Sequence, residues 1–165
     1  MPTLEEQILS RLNDAKDAIV SNIQSKGITA SGRTQKAIKV KQEGSSFLLY
    51  KESGNNAPMQ TLEIGREGGA VPKGFVAIIR QWMNDKGLQG TPIPYKTDRP
   101  HKYTEQERGN LSMAGAIAYG KIKNEGTNRH NKPDNTVYSP IIEQTVKDIK
   151  QIAVKSVVDT IKTRT

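Results

Sequence analysis

The chain has 165 residues, room for one compact domain of ordinary size. Hydrophobic residues are 34% of it and aromatics 5%, so a core can form, but the burial it offers is modest and such a subunit gains stability by assembling. The absence of cysteine excludes disulfides, thiolate metal sites and cysteine nucleophiles, the acidic start Met1-Pro2-Thr3-Leu4-Glu5-Glu6 is unlike a signal peptide, and no apolar run is long enough to span a bilayer.

The net charge is +8 and the pI near 9.7, a balance that attracts nucleic acid, anionic lipid or an acidic protein. The excess is spread along the chain, and nowhere do five basic residues run together. The first thirty-one residues set Arg11, Lys16 and Lys26 against Glu5, Glu6, Asp14 and Asp17, whereas the stretch from Arg99 to Lys132 is clearly basic.

Thr3 and Glu6 have the spacing of a capping box, in which each side chain accepts a backbone N–H at a helix start. Leu4, Ile8, Leu12, Ala15, Ile19 and Ile23 then fall on one helical face, and Gly27 supplies a left-handed stop. Ser31-Gly32-Arg33-Thr34 reads as a turn or a short helical start. Beyond it Ala37, Ile38 and Val40, then Phe47, Leu48, Leu49 and Tyr50, flank Glu43-Gly44-Ser45, which predicts a β-hairpin whose second strand enters Lys51-Glu52-Ser53.

Gly54-Asn55-Asn56-Ala57-Pro58 and Gly65 to Gly69 are irregular, so Met59 to Ile64 is a short segment held between two flexible ones, the kind of place where function often sits. Val71-Pro72-Lys73-Gly74 leads into a helical stripe of Phe75, Ile78, Ile79, Trp82 and Met83 that stops at Lys86-Gly87. Phe75, Ile79 and Trp82 are read as core packing. Leu88 to Lys102, with Pro92, Pro94 and Pro100, is an extended loop and the natural place for an arm.

Thr104 and Glu107 form a second capping box, opening a helix with the small face Leu111, Ala114, Gly115, Ala118 and Ile122, which suits close packing inside the monomer. Glu125-Gly126-Thr127 ends it, and Asn128 to Thr136 is a polar loop. Ser139 as N-cap and Pro140 at the first position start a last helix, with Ile142, Val146, Ile149, Ala153, Val157 and Ile161 along one side. The fold class is α+β: a single domain over 1–165, a long first helix, a small antiparallel hairpin sheet and two further long helices packed on it, with extended loops at 54–69 and 88–102.

Catalytic machinery is not evident. His101 and His130 lie in polar loops without partners at a ligand spacing, so no metal site is expected. The glycine strings at Ser31-Gly32-Arg33-Thr34 and Gly65-Arg66-Glu67-Gly68-Gly69 lack the Walker spacing. Glu5, Glu6, Glu105 and Glu107 are helix-start residues before they are acids or bases. No cofactor and no enzymatic activity are expected. Nucleic-acid binding is the rival class, because Arg99, Lys102, Arg108, Lys121, Lys123, Arg129 and Lys132 share one region with Tyr95 and Tyr103, although no known binding motif accompanies them.

Several strings, in this order along the chain, resemble the bacteriophage tail-completion or head-tail joining (neck, connector) family. Ala30-Ser31-Gly32-Arg33-Thr34 running into Ala37-Ile38-Lys39-Val40 resembles the family's threonine- or serine-glycine turn and strand. Leu49-Tyr50 and Leu62-Glu63-Ile64-Gly65-Arg66 resemble its tyrosine strand and acidic-apolar-glycine segment. Ala114 to Tyr119, Glu125-Gly126-Thr127 and Tyr138 to Ile161 occupy its closing block. Val71-Pro72-Lys73-Gly74-Phe75 with Ile78-Ile79-Arg80-Gln81-Trp82 and Lys86-Gly87 is similar to a branch found in phages of gut bacteria, including crAss-like phages. One departure is the insertion of Gly54 to Pro58 between the tyrosine strand and the acidic-apolar-glycine segment.

The resemblance implies a virion protein, made in the host cytoplasm, that forms a six- or twelve-fold ring in the neck or upper tail. Its implied neighbours are portal or adaptor proteins and tail or adjacent ring proteins, with no membrane role. On that reading Glu63, Gly65, Arg66, Pro92, Pro94 and Tyr95 are candidate ring-interface residues. Arg99, Lys102, Lys121, Lys123 and Arg129 are candidate positions facing packaged DNA or an acidic partner. The alternative is a basic DNA- or RNA-binding accessory protein.

Overall fold

A computed structural model describes residues 2–29, 31–52, 59–97, 100–127 and 136–163. The expected class holds: the chain mixes long N- and C-terminal helices with a two-stranded antiparallel hairpin. Within the length expected to form one domain, the contacts fall into two compact units, Met1–Glu63 with Pro133–Thr165, and Ile64–Lys132.

In the first unit, helix α1 spans Leu4–Ser25 and opens with the Thr3/Glu6 capping box. Its apolar stripe buries Leu12, Ala15, Ile19 and Ile23. At its end the Ile28 N–H donates to the Ile23 carbonyl and the Gly27 N–H to that of Gln24, the Schellman closure that a left-handed Gly27 permits. A five-residue helix α2, Arg33–Ala37, takes Ala37 out of the strand and runs into β1, Ile38–Glu43. Gly44 and Ser45 turn the chain into β2, Ser46–Lys51, with Val40 opposite Leu49 and Gln42 opposite Phe47 on the inner face. That face packs on α1, joining Ile38 and Leu49 to Ile19, Ile23 and Val137 in one cluster.

Helix α7, Ser139–Lys162, lies along α1, and Arg11 bridges the two by pairing with Asp148. Ser139 is already helical, and the N-cap is Tyr138 with no side-chain cap of its own. The expected Ser139 cap is therefore displaced by one residue, for a reason found at Glu63 below.

The loop expected over 54–69 contains a short helix α3, Met59–Ile64, while its residues 53–58 lie outside the described residues. The second unit holds α4, Phe75–Asp85, and α5, Glu105–Gly115. The α5 helix continues through a π-helical stretch, Ala116–Ile122, into a last turn α6, Lys123–Glu125. Ala114 and Ala118 are fully buried against Ile79 and Met83 of α4, so the small face is spent on close packing inside this unit. Helix α5 packs on α4 through these alanines. Trp82, expected in the core, is 38% exposed, while Met83 one position on takes the buried place. No helix among the described residues is long and apolar enough to cross a membrane.

Candidate interaction surfaces

Among the described residues Glu63 is the one buried charged side chain. Its side chain enters the core of the first unit, where the residue is 6% exposed. One carboxylate oxygen accepts the N–H groups of Val137 at 2.7 Å and Tyr138 at 2.9 Å, and the other accepts that of Ser139 at 3.1 Å. These N–H groups lie at the start of α7, where a helix leaves donors unpaired and its dipole favours negative charge. A carboxylate more than seventy residues away in sequence therefore replaces the local cap, and Ser139 is free to join the helix. Burial alone would push the Glu63 carboxyl up. The Ser139 side chain and the three backbone donors outweigh it and hold the carboxyl below its ordinary value. Buried and fully engaged, Glu63 is an internal anchor and not a surface available to a neighbouring subunit.

Gly65 and Arg66 are likewise turned inward, within the second unit. Gly65 is buried with φ +77°, a conformation that glycine adopts at little cost. The Arg66 N–H donates to the Thr127 hydroxyl, and its carbonyl accepts the Thr127 N–H, both at 2.8 Å. Its guanidinium donates to the Ala70 carbonyl and lies 5.0 Å from the Phe75 ring centre. A Cβ at Gly126 would collide with the Arg66 backbone. The two strings Ile64-Gly65-Arg66 and Glu125-Gly126-Thr127, far apart in sequence, thus form one backbone clasp.

Pro92, Pro94 and Tyr95 lie on a loop that is extended as expected but is not a free arm, because it is fastened to α5. Gly90 and Gly109 let the two backbones approach so closely that a Cβ on either would collide with the other's backbone neighbours. The Ile93 N–H donates to the Glu105 carbonyl, the Gly90 N–H to the Asn110 side chain, and Arg108 donates to the carbonyls of Ile93 and Pro94. Tyr95 is held from both sides: the Arg108 guanidinium carbon lies 4.1 Å from its ring centre, and the His101 ring stacks parallel to it at 3.4 Å. Its hydroxyl donates to the Tyr103 carbonyl. His101, expected to be a solvated loop residue, is exposed but takes part in this stack.

Among the predicted charged positions, Lys102, Lys121 and Lys123 are exposed, and Lys102 sits 5.4 Å from the Tyr103 ring centre. Arg99 and Arg129 lie outside the described residues, as does His130. The excess charge is unevenly divided: Ile64–Lys132 carries twelve Lys and Arg against six Asp and Glu, while the remainder carries thirteen against eleven. Among the described residues no cluster of three or more His, Asp or Glu is arranged to hold a metal ion.

A different surface lies in the first unit and was only half visible in the sequence. The buried side of α7 is marked by Thr145 and by partly buried Ile141 and Ile142. Of the rest of the predicted stripe, Ile149 and Ala153 are half-buried, whereas Val146, Val157 and Ile161 are exposed, Val157 at 58% and Ile161 at 60%. Val154 and Val158 join them, at 64% and 41%. Val154, Val157, Val158 and Ile161 recur at three- and four-residue steps, so they form one apolar patch over two helical turns. Lys147, Lys150, Lys155 and Lys162 are exposed along the same helix. The cavities of this unit are shallow; one of about 280 Å³ is lined by Arg11, Asp14, Ala15, Ile141 and Thr145 among others. No family model, curated protein or solved structure matches this chain.

Proposed function

We propose that this chain is a non-catalytic structural subunit of a tailed-bacteriophage particle, closing into a six- or twelve-fold ring at the head-tail junction or upper tail. The observation that carries the reading is the uncovered apolar face of α7. Four β-branched aliphatic side chains stand largely in water over two turns, a placement that costs free energy in a monomer and is recovered when another surface covers it. The partner is a second copy. On α7 the patch is accompanied by exposed Lys155 and Lys162 with Asp159 between them, and α1 exposes Glu5 and Glu6 together with Asp14 and Asp17, which pair with Arg11 and Lys16. A contact in which α7 of one copy meets α1 of the next is heterologous, and heterologous contacts whose rotation closes form rings.

The sequence resemblance to tail-completion and neck proteins supports the same conclusion and supplies the setting, with a portal or adaptor on one side and tail or ring proteins on the other. Mass spectrometry of purified particles tests the placement. The chain is expected in the particle at six or twelve copies relative to the portal; its absence from particles that contain portal and tail proteins would overturn the assignment.

A further inference from the structure

Around the loop-helix junction the cations Lys96, Lys102 and Arg108 outnumber the carboxylates Glu105 and Glu107 by one. Glu107 is committed to the Thr104 capping box, whose N–H and hydroxyl hold its carboxyl below the ordinary value. Glu105 accepts the Tyr95 N–H. Lys96 and Lys102 are exposed, and Arg108 backs the stack from within. Around these cations the aromatic groups are ordered and not buried: His101 lies on the Tyr95 ring and is itself exposed, and Tyr103 is exposed beside Lys102. Arg108 holds the Ile93 and Pro94 carbonyls, and the Tyr95 hydroxyl donates to the Tyr103 carbonyl. Exposed rings beside cations are what holding a single strand requires, phosphates on the charges and bases on the rings. A duplex would use the lysines alone, because its bases are already stacked.

We infer that this junction binds single-stranded nucleic acid, with Lys96 and Lys102 meeting phosphates and His101 and Tyr103 taking unpaired bases. The site lies outside the α7 surface and does not depend on ring assembly.

Fluorescence anisotropy of the full chain with labelled oligo-dT tests it, against a duplex and a polyphosphate of equal charge. Oligo-dT is expected to bind at least tenfold more tightly than either. Tyr103→Ala and His101→Ala should each weaken oligo-dT binding about tenfold, on the scale of one lost base stack, with Tyr103→Phe retaining it. Lys102→Ala should reduce the slope of log affinity against log salt by about 0.7. All these side chains are exposed, so unchanged circular dichroism is expected to accompany each loss. Equal binding of polyphosphate, preference for the duplex, or ring variants that bind like the parent would overturn the inference.

Discussion

Replacing Glu63 with alanine is expected to destabilise the first unit by about 3 kcal/mol, read as a fall in melting temperature on the order of 10 °C. The size follows from what is left behind. Three backbone donors at Val137, Tyr138 and Ser139 lose their acceptor, and the Val137 donor has no route to water because that residue is fully buried. Loss of an ordinary exposed cap costs about 1 kcal/mol; burial and the three-fold engagement raise it here. Glu63→Gln separates charge from hydrogen bonding. The amide oxygen can still serve Val137 and Tyr138, but the amide nitrogen presents a donor to the Ser139 N–H, so an intermediate loss is expected.

The same carboxylate sets a pH dependence. Its folded-state pKa lies below the ordinary value of 4.5, so between the two the unfolded chain binds more protons and stability rises with pH. The stabilisation is fully present above the unfolded value and is lost as pH falls through the lowered folded one. Asp148, held down by its hydrogen bond from Arg11 and then by Gln144, acts in the same direction. Chemical denaturation repeated from neutral pH downward should show the parent weakening below about pH 5, with the slope reduced in Glu63→Ala. A variant as stable as the parent at every pH would show that α7 is capped by something else.

The second large effect is expected at the opposite end of α7. Val157→Asp combined with Ile161→Asp should convert the assembled chain to monomers while leaving its fold intact. Burying a Val or Ile side chain is worth about 1.5–3 kcal/mol, and a carboxylate placed in the same contact adds a desolvation cost. Each 1.4 kcal/mol is about a factor of ten in affinity, so a weakening of a thousandfold or more is expected. Both residues are largely exposed, and exposed substitutions away from caps and cores usually change stability by less than about 0.5 kcal/mol. Light scattering coupled to size-exclusion chromatography reads the mass, and a thermal melt reads the fold. Retention of the parent's mass by the double variant would place the contact elsewhere.

What was legible in the sequence was local. Both capping boxes, Thr3 with Glu6 and Thr104 with Glu107, formed as read because their partners are three residues apart. Gly27 and Gly87 stop their helices by the left-handed conformation that their sequence positions imply. Gly44 turns the hairpin for the same reason. Non-local chemistry was not legible. Nothing near Ser139 announces that its helix is capped by Glu63, and the rule that names a serine before a proline as the cap then misplaces the start by one residue. The π-helical stretch Ala116–Ile122 falls within a run whose apolar spacing reads as ordinary helix.

The stripe on α7 was visible as a period, but a period does not say what covers it. Half of it faces α1 and half faces out. Adding Val154 and Val158, which share the three- and four-residue spacing with Val157 and Ile161, would have shown that α7 has more apolar circumference than one neighbour can cover. The loop from Leu88 to Thr97 carries no helix or strand, as its prolines imply. Its attachment to α5 depends on Gly90 meeting Gly109, a close approach between two glycines that neither local sequence declares. Glu63, Gly65 and Arg66 were expected at a ring interface; the contacts seen for them are internal, a helix cap in one unit and a backbone clasp in the other.

Negative-stain electron microscopy of the purified chain puts the central proposal to the shortest test. Class averages should show closed rings with six or twelve repeats, and these should vanish in the Val157→Asp, Ile161→Asp variant. A field of single small particles from the unmodified protein would contradict the ring.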